Sequence, residues 1–350
     1  MKPVKINGVA VGPGYPPYII AEIGSNHNGD MNLCRRLIDS AADSGAQAVK
    51  FQSWTDNSLI AEEEYARNTS YSDKKKPFGS LREMVTAYQF TSEQHVEAAA
   101  QCKSRGIAFC STPFAVEEAD LLEKLDVPFF KIASMDIIHL SLLKYVASKQ
   151  RPVVISTGMA TLAEIERAVE TVRAEGTEQI VLLHCVSIYP PEYDTIHLRN
   201  MATLQQAFGV PVGFSDHTLG TAIPLAAIAL GACMIEKHFT LDQDMEGWDH
   251  MISANPEQLK TIVEEGRHII TALGDCERTV SAAEVEKRKK FRRSLVTTRQ
   301  LPSGHVLTES DLDAKRPGTG IRPDEIGYVL GRRLASGMIA DQVLNWSHLQ

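Results

Sequence analysis

The sequence is short of several things that would place it outside the ordinary globular classes. Its six cysteines, Cys34, Cys102, Cys110, Cys185, Cys233 and Cys276, form no C-x-x-C pair. In a chain of this length they read as free thiols, which points to a reducing, cytoplasmic compartment rather than a disulfide framework. No apolar run reaches the roughly 18 residues that cross a bilayer. The segment Met1–Pro17 has Gly and Pro but no continuous apolar stretch, so neither a signal peptide nor a membrane anchor is expected there. Basic residues are in the minority: 36 Lys and Arg face 44 Asp and Glu, a formal net charge of −8. A nucleic-acid binder usually carries a basic surplus, so no such partner is expected.

What remains is the composition of a well-packed enzyme-sized protein, 43% hydrophobic and 23% charged over 350 residues. That length exceeds one typical α/β barrel and predicts a barrel plus a small second domain. Eight short apolar runs follow one another: 18–23, 48–52, 107–111, 129–132, 153–156, 180–184, 212–215 and 234–238. Continuous rather than alternating runs suit parallel strands buried on both faces. Amphipathic stretches with helix punctuation separate them. Asp30 can cap a helix that Gly45 closes; Thr161 and Glu164 form a capping box before a helix that Gly176 ends; Asn255 and Pro256 open a third. Eight strand–helix repeats predict an α/β fold of the (β/α)8 TIM-barrel type, with an open doubly wound sheet as the alternative.

Two regions depart from that rhythm. Residues 53–90 are too long for a plain connection and follow the second strand, which places them at the catalytic face of a barrel. After Leu273 the pattern stops. The charge run Glu284–Arg293 reads as a solvated linker helix, and short β-like pieces with Gly and Pro turns follow from Ser294. The expected division is a barrel over 1–278, a linker over 279–293 and a β-rich domain over 294–350.

A TIM barrel builds its active site at the C-terminal ends of its strands, and those ends are strongly polar here. They carry Glu22, Lys50, Gln52, Thr112, Lys131, Ser134, Ser156, Ser187, Tyr189, Ser215, His217, Glu236 and His238, with Asp249 in the loop beyond. His217 and His238 end adjacent strands. Neutral imidazoles so placed can share a divalent metal, or be two unrelated polar histidines. Lys50, Lys131, Ser134, Ser156 and Ser215 together suit an anion bearing phosphate and carboxylate. A barrel lysine can instead form a Schiff base, or pair structurally with Glu22 or Glu236.

The motifs AEIGSNHNGD (21–30), AVKFQ (48–52), FKIASMD (130–136), ISTGMA (155–160), HCVSIYP (184–190), GFSDHT (213–218) and EKHFTLD (236–242) resemble the sialic acid synthase family in order and spacing. The tail from about 294 to 349, with KRPGTGI at 315–321, resembles that family's C-terminal antifreeze-like (SAF) domain. The resemblance implies a phosphoenolpyruvate-dependent transferase that condenses phosphoenolpyruvate with an N-acylated hexosamine, either N-acetylmannosamine or a 2,4-diacetamido-trideoxyhexose. The product is a nine-carbon nonulosonic acid. It implies a divalent metal, Mn2+ or Mg2+, on His217 and His238, and phosphoenolpyruvate on Lys50, Lys131, Ser134, Ser156 and Ser215. Gln52, Asp136, Ser187 and Tyr189 stand in the same motifs as substrate-binding candidates. Glu22 and Asp249 orient a water, and Arg316 of a homodimer partner's swapped SAF domain reaches the sugar's acyl group. Trp248 stands where the family usually has Pro. The rival readings are another phosphoenolpyruvate-dependent sugar-acid synthase and a metal-dependent barrel hydrolase.

Overall fold

Eight parallel strands form where the apolar runs predict them: β1 (Tyr18–Glu22), β2 (Ala48–Ser53), β3 (Ala108–Pro113), β4 (Phe130–Ile132), β5 (Val153–Ser156), β6 (Ile180–Cys185), β7 (Val212–Asp216) and β8 (Met234–His238). In the computed structural model, which describes residues 1–72 and 77–350, they join in the order β3-β2-β1-β8-β7-β6-β5-β4. The two ends of that order, β3 and β4, lie side by side and complete the ring. The fold is a (β/α)8 barrel, as the repeat pattern implies.

The helices sit outside the ring and start where their caps dictate. The Asp30 carboxylate accepts the Asn32 amide at 2.7 Å and opens α1 (Met31–Asp43). Thr161 and Glu164 cap each other's backbone at the start of the helix Leu162–Ala174. Asn255 and Pro256 open the helix Pro256–Leu273, which buries Leu259, Ile262 and Val263. Fully burying one such side chain contributes about 1.5–3 kcal/mol.

Inside the barrel, the alternation of a strand decides what points inward. Ile20, Ala48, Cys110, Phe129, Val154, Val181, Leu183 and Met234 form an apolar lower layer. A ribbon for which the sequence suggested no element, Val4–Ile6 paired with Val9–Val11, packs Val4, Ile6 and Val11 against that layer and closes the barrel's lower end. One step of two residues up the same strand faces, the lining turns polar: Glu22, Lys50, Thr112, Lys131, Ser156 and Glu236, all buried. The floor is therefore dry and packed, and the top is charged.

The insertion after β2 folds into α2 (Asp56–Leu59), α3 (Glu62–Arg67) and α4 (Leu81–Tyr88). Residues 73–76 of it lie outside the described residues. It has its own apolar centre of Trp54, Tyr65, Leu81, Met84, Val85 and Tyr88, closed by Phe114.

The chain divides into two units, 1–274 and 275–350. In the second, β9 (Ser294–Thr297) pairs antiparallel with β10 (Leu312–Lys315) over a core that includes Leu295, Leu301, Leu307, Val329, Leu334 and Leu344. The segment 279–293, expected as a linker, carries the exposed helix Ala282–Phe291. The Gly318 amide donates to the Lys289 carbonyl at 2.9 Å, which ties this helix to the loop after β10.

Candidate active site

The polar layer opens into a cleft of about 290 Å³ at the C-terminal mouth of the barrel. Glu22, Lys50, Gln52, Lys131, Ser134, Ser156, Ser187, Tyr189, Ser215, His217 and His238 all line it. Of the barrel residues singled out from sequence, Asp249 lies just beyond the rim, with Oδ2 3.7 Å from His238 Nδ1. Asp136 does not line the cleft; its Oδ2 is buried without a hydrogen-bond partner on the turn after β4. Arg316 belongs to the second unit, where its guanidinium lies 5.2 Å from the centre of the Phe291 ring.

The lysines are anchored by carboxylates, as the structural alternative anticipates, and they still face the cleft. Lys50 Nζ lies 2.7 Å from Glu22 and 3.8 Å from Glu236, and it donates to Thr112 Oγ1 at 3.3 Å. Lys131 Nζ lies 3.8 Å from Glu236 and donates to the Ile132 carbonyl at 3.0 Å. Burial alone would lower Lys50, but Glu22 and Glu236 outweigh it and hold the ammonium protonated well above its usual range. Lys131 is lowered, because burial and the Lys50 charge outweigh the pull of Glu236. Burial raises Glu22, with Lys50 opposing and Glu236 adding like charge. Burial would raise Glu236 too, but Lys131, Lys50 and His217 hold it below the usual carboxylate range. Two carboxylates near one another are thus pushed apart in acidity, the pattern of a site that moves protons.

Hydroxyls converge beside the lysines. The Gly158 amide donates to Ser134 Oγ at 3.1 Å, which fixes that hydroxyl in the lining of the cleft. A Cβ built on Gly158 would stand 2.3 Å from Ser187 Oγ and 2.8 Å from Ser134 Oγ, so only glycine lets the two hydroxyls close on this point. Ser156 Oγ and Ser187 Oγ are buried and have no hydrogen-bond partner among the described residues. Unsatisfied buried hydroxyls are costly and so mark a place where a ligand supplies the partner.

Across the cleft the His217 and His238 rings stand 5.4 Å apart, centre to centre. His217 Nδ1 bonds the Val186 carbonyl at 3.0 Å, which fixes the orientation of the ring. His238 Nδ1 and Glu236 Oε2 are buried with no hydrogen-bond partner. Two neutral-capable imidazoles and orphaned buried acceptors beside surplus carboxylate charge are a donor set that fits a divalent cation. Among the described residues no three His, Cys, Asp or Glu side chains close around one point, so water or substrate oxygens would fill most of the shell.

Cys185 was not singled out from sequence, yet it ends β6 on the same inward face as Val181 and Leu183 and lines the cleft. Period-two counting would have found it. Burial would raise its thiol, but hydrogen bonding with His217 and Ser134 and the charge of Lys131 draw it down.

A second chamber of about 340 Å³ opens off the cleft and shares Gln52, Phe114, Met135, Tyr189 and His238 with it. Its own walls are Trp54, Leu59, Ile60, Met84 and Val85 of the insertion, with Trp248 and Asp249 opposite. Among the described residues, no Lys or Arg lines it.

The NeuB family pattern matches residues 37–278, and the SAF domain pattern matches 292–350. The chain belongs to the NeuB family. It is 40% identical over 352 residues to an N,N'-diacetyllegionaminic acid synthase of Legionella pneumophila, covering 99% of this chain and 98% of that one. It is 34% identical to a pseudaminic acid synthase of Helicobacter pylori, covering 94% and 97%. Among solved structures, an N-acetylneuraminic acid synthetase from Leptospira borgpetersenii aligns with a TM-score of 0.74 at 35% identity, over 82% of this chain and 95% of that chain. These relatives of the NeuB-family chain are all synthases of nine-carbon acidic sugars by name, and the family assignment agrees with the resemblance in its motifs.

Proposed function

We propose that this enzyme condenses phosphoenolpyruvate with the open-chain aldehyde of an N-acylated hexosamine, giving a nonulosonic acid and phosphate. The observation that carries the reading is the polar top layer. Two buried lysines, four serine hydroxyls and two imidazoles line a single cleft, with the buried carboxylates Glu22 and Glu236 among them.

Lys50, Lys131, Ser134, Ser156, Ser187 and Ser215 hold the phosphate and carboxylate of phosphoenolpyruvate, which fixes its methylene carbon toward the histidines. Holding two reactants in line supplies a large share of such a barrier. The new bond joins that methylene carbon to the aldehyde carbon. The aldehyde oxygen gains a proton, water adds at the carbon that bears the phosphate, and phosphate leaves as that carbon becomes the ketone. Glu22 and Asp249 take and return the protons of that water. Burial, opposed by His217, Ser25 and Lys50, raises Asp249 to about 6, and Glu22 is raised as well. Groups titrating near neutrality are the effective general bases. His217 and His238 would hold Mn2+ or Mg2+, which when bound supplies Lewis acidity at the acceptor's carbonyl oxygen.

The chamber supports the second of the two acceptors. A largely apolar wall that carries no Lys or Arg among the described residues suits a sugar that bears a methyl and a second acylamino group in place of hydroxyls, and those residues give a phosphorylated sugar no counter-ion. The 2,4-diacetamido-trideoxyhexose is therefore the acceptor we favour. We further propose a homodimer in a reducing cytosol, with Arg316 serving the acyl group of an acceptor held by the partner's barrel. Five of the six cysteines are buried and all six are free, as a cytosolic enzyme requires.

The test is phosphate release from phosphoenolpyruvate with Mn2+ present, run against a panel of N-acylated hexosamines with product masses read alongside. Release that requires the diacetamido sugar is expected. Release with N-acetylmannosamine alone would overturn the acceptor, and none with any acceptor would overturn the condensation. Removing 294–350 is expected to raise the KM of the sugar more than that of phosphoenolpyruvate; equal losses would count against Arg316.

A further inference from the structure

The two histidines leave neighbouring strands, and the residues just before them are joined. β7 and β8 run parallel with Ser215 opposite Glu236 and Asp216 opposite Lys237. His217 follows Asp216 and His238 follows Lys237, so the register that pairs the first two residues also sets the two imidazoles abreast. Strand alternation turns Ser215 and Glu236 into the cleft, and turns Asp216 and Lys237 to the opposite face. Neither Asp216 nor Lys237 lines the cleft or the chamber.

There they form a clamp. Lys237 Nζ donates to Asp216 Oδ2 at 2.6 Å and to the Thr218 carbonyl at 2.6 Å. The other Asp216 oxygen accepts the Thr218 amide at 2.9 Å. The ion pair is wholly buried, with side chains 1% and 0% exposed. Both flanks of His217, residues 216 and 218, are therefore held by one ammonium that is itself the chain neighbour of His238. A buried ion pair is a poor way to gain stability, since hydrophobic residues of the same volume often do as well. What it does supply is direction, because three charge-assisted or peptide hydrogen bonds meet at fixed angles.

We propose that Asp216 and Lys237 are positioning residues whose clamp sets the spacing and aim of His217 and His238 for a divalent cation. The inference rests on the reading of those histidines as a metal pair. The clamp touches no substrate. Its effect on the reaction runs through the imidazoles, whose rings stand 5.4 Å apart in the present arrangement. Partners of metal ligands typically change metal affinity by about 10- to 100-fold when they are lost.

The experiment is a Mn2+ titration of the full chain followed by electron paramagnetic resonance of the free ion. Thermal midpoint and the KM of phosphoenolpyruvate are recorded on the same samples. Lys237→Met is expected to fold, to bind Mn2+ about 10- to 100-fold more weakly, and to recover turnover when Mn2+ is raised in proportion, with the KM of phosphoenolpyruvate within about twofold of the unaltered protein. Asp216→Asn keeps an acceptor for the Thr218 amide and loses the charge, so an intermediate loss is expected; it carries the test if Lys237→Met fails to fold. Lys237→Arg is expected to restore most of the affinity. A folded variant whose midpoint drops while its Mn2+ affinity stays within twofold of the unaltered protein would reduce the clamp to scaffolding and overturn the proposal. The parent reading fails separately: if the unaltered protein bound no Mn2+, or bound it as tightly after His217→Ala, the metal pair itself would be wrong.

Discussion

Gly158 offers a sharp test of the anion cradle. Its backbone lies outside the left-handed region, so alanine fits the chain conformation and the cost falls on the cleft alone. The added Cβ would stand 2.3 Å from Ser187 Oγ and 2.8 Å from Ser134 Oγ, against an ordinary contact of 3.4–4 Å. Ser187 must retreat by about 1 Å, and a misplacement of that size can cost on the order of 100-fold in rate. Counted another way, one or two hydrogen bonds to a charged group are lost or weakened, at about 1.5–3 kcal/mol each. Both routes predict that Gly158→Ala lowers kcat/KM for phosphoenolpyruvate by about 100-fold. The measurement is initial-rate phosphate release at saturating sugar and metal, with the unfolding midpoint taken alongside. The midpoint is expected to move little, and the KM of the sugar less than that of phosphoenolpyruvate. A kcat/KM within threefold of the unaltered enzyme, or a loss confined to the sugar, would refute the assignment of Ser134 and Ser187 to phosphoenolpyruvate.

Three further predictions follow from the same geometry. Replacing Lys50 by Met leaves Glu22 buried without its ion-pair partner at 2.7 Å and Glu236 with Lys131 alone, so a stability loss of about 3–5 kcal/mol is expected in denaturant titration; a loss below about 1 kcal/mol would show that Glu22 is protonated at neutral pH. His27 is lowered to about 3 by burial, with His95 and His250 adding to it, and its Nδ1 accepts the Gly29 amide at 3.0 Å. A histidine held neutral in the fold contributes stability that is fully present above the unfolded value near 6.5 and is lost as pH falls toward 3. The unaltered protein is expected to lose up to about 1.4 kcal/mol per pH unit more than His27→Gln across that window, and parallel stability curves would contradict this. Ile60→Arg places a cation in the chamber wall. It is expected to cut kcat/KM for the diacetamido sugar by at least about tenfold and to raise turnover of a 6-phosphorylated hexosamine, with phosphoenolpyruvate kinetics unchanged; an unaltered sugar profile would remove the chamber from the acceptor site.

Much of this protein is written in short stretches of chain. Each barrel strand announces itself as a run of β-branched and aromatic residues, because a strand covered on both faces has no polar side to show. Asp30, Thr161 with Glu164, and Asn255 with Pro256 mark helix starts because a cap is a local bond between residues two or three apart. Even the candidate site was legible in outline, since a barrel collects whatever ends its strands. What local sequence could not supply was anything that depends on two distant residues meeting. The ribbon that closes the lower end has only three residues per strand, too few to stand out from a coil, and it is fixed by packing against Tyr18 and Phe129. Asp136 shares a motif with Lys131, yet it stands on the turn after β4 and is not part of the cleft's lining. Gly158 reads as an ordinary turn glycine until Ser187, from another strand's loop, arrives where its Cβ would be. The chamber exists because the insertion after β2 folds back over the loop after β8, and the clamp under the histidines exists because two strands pair in one register and not the next. Composition and period decided the barrel and its polar rim. Register, and the long-range contacts that only a closed barrel permits, decided which of those polar groups meet.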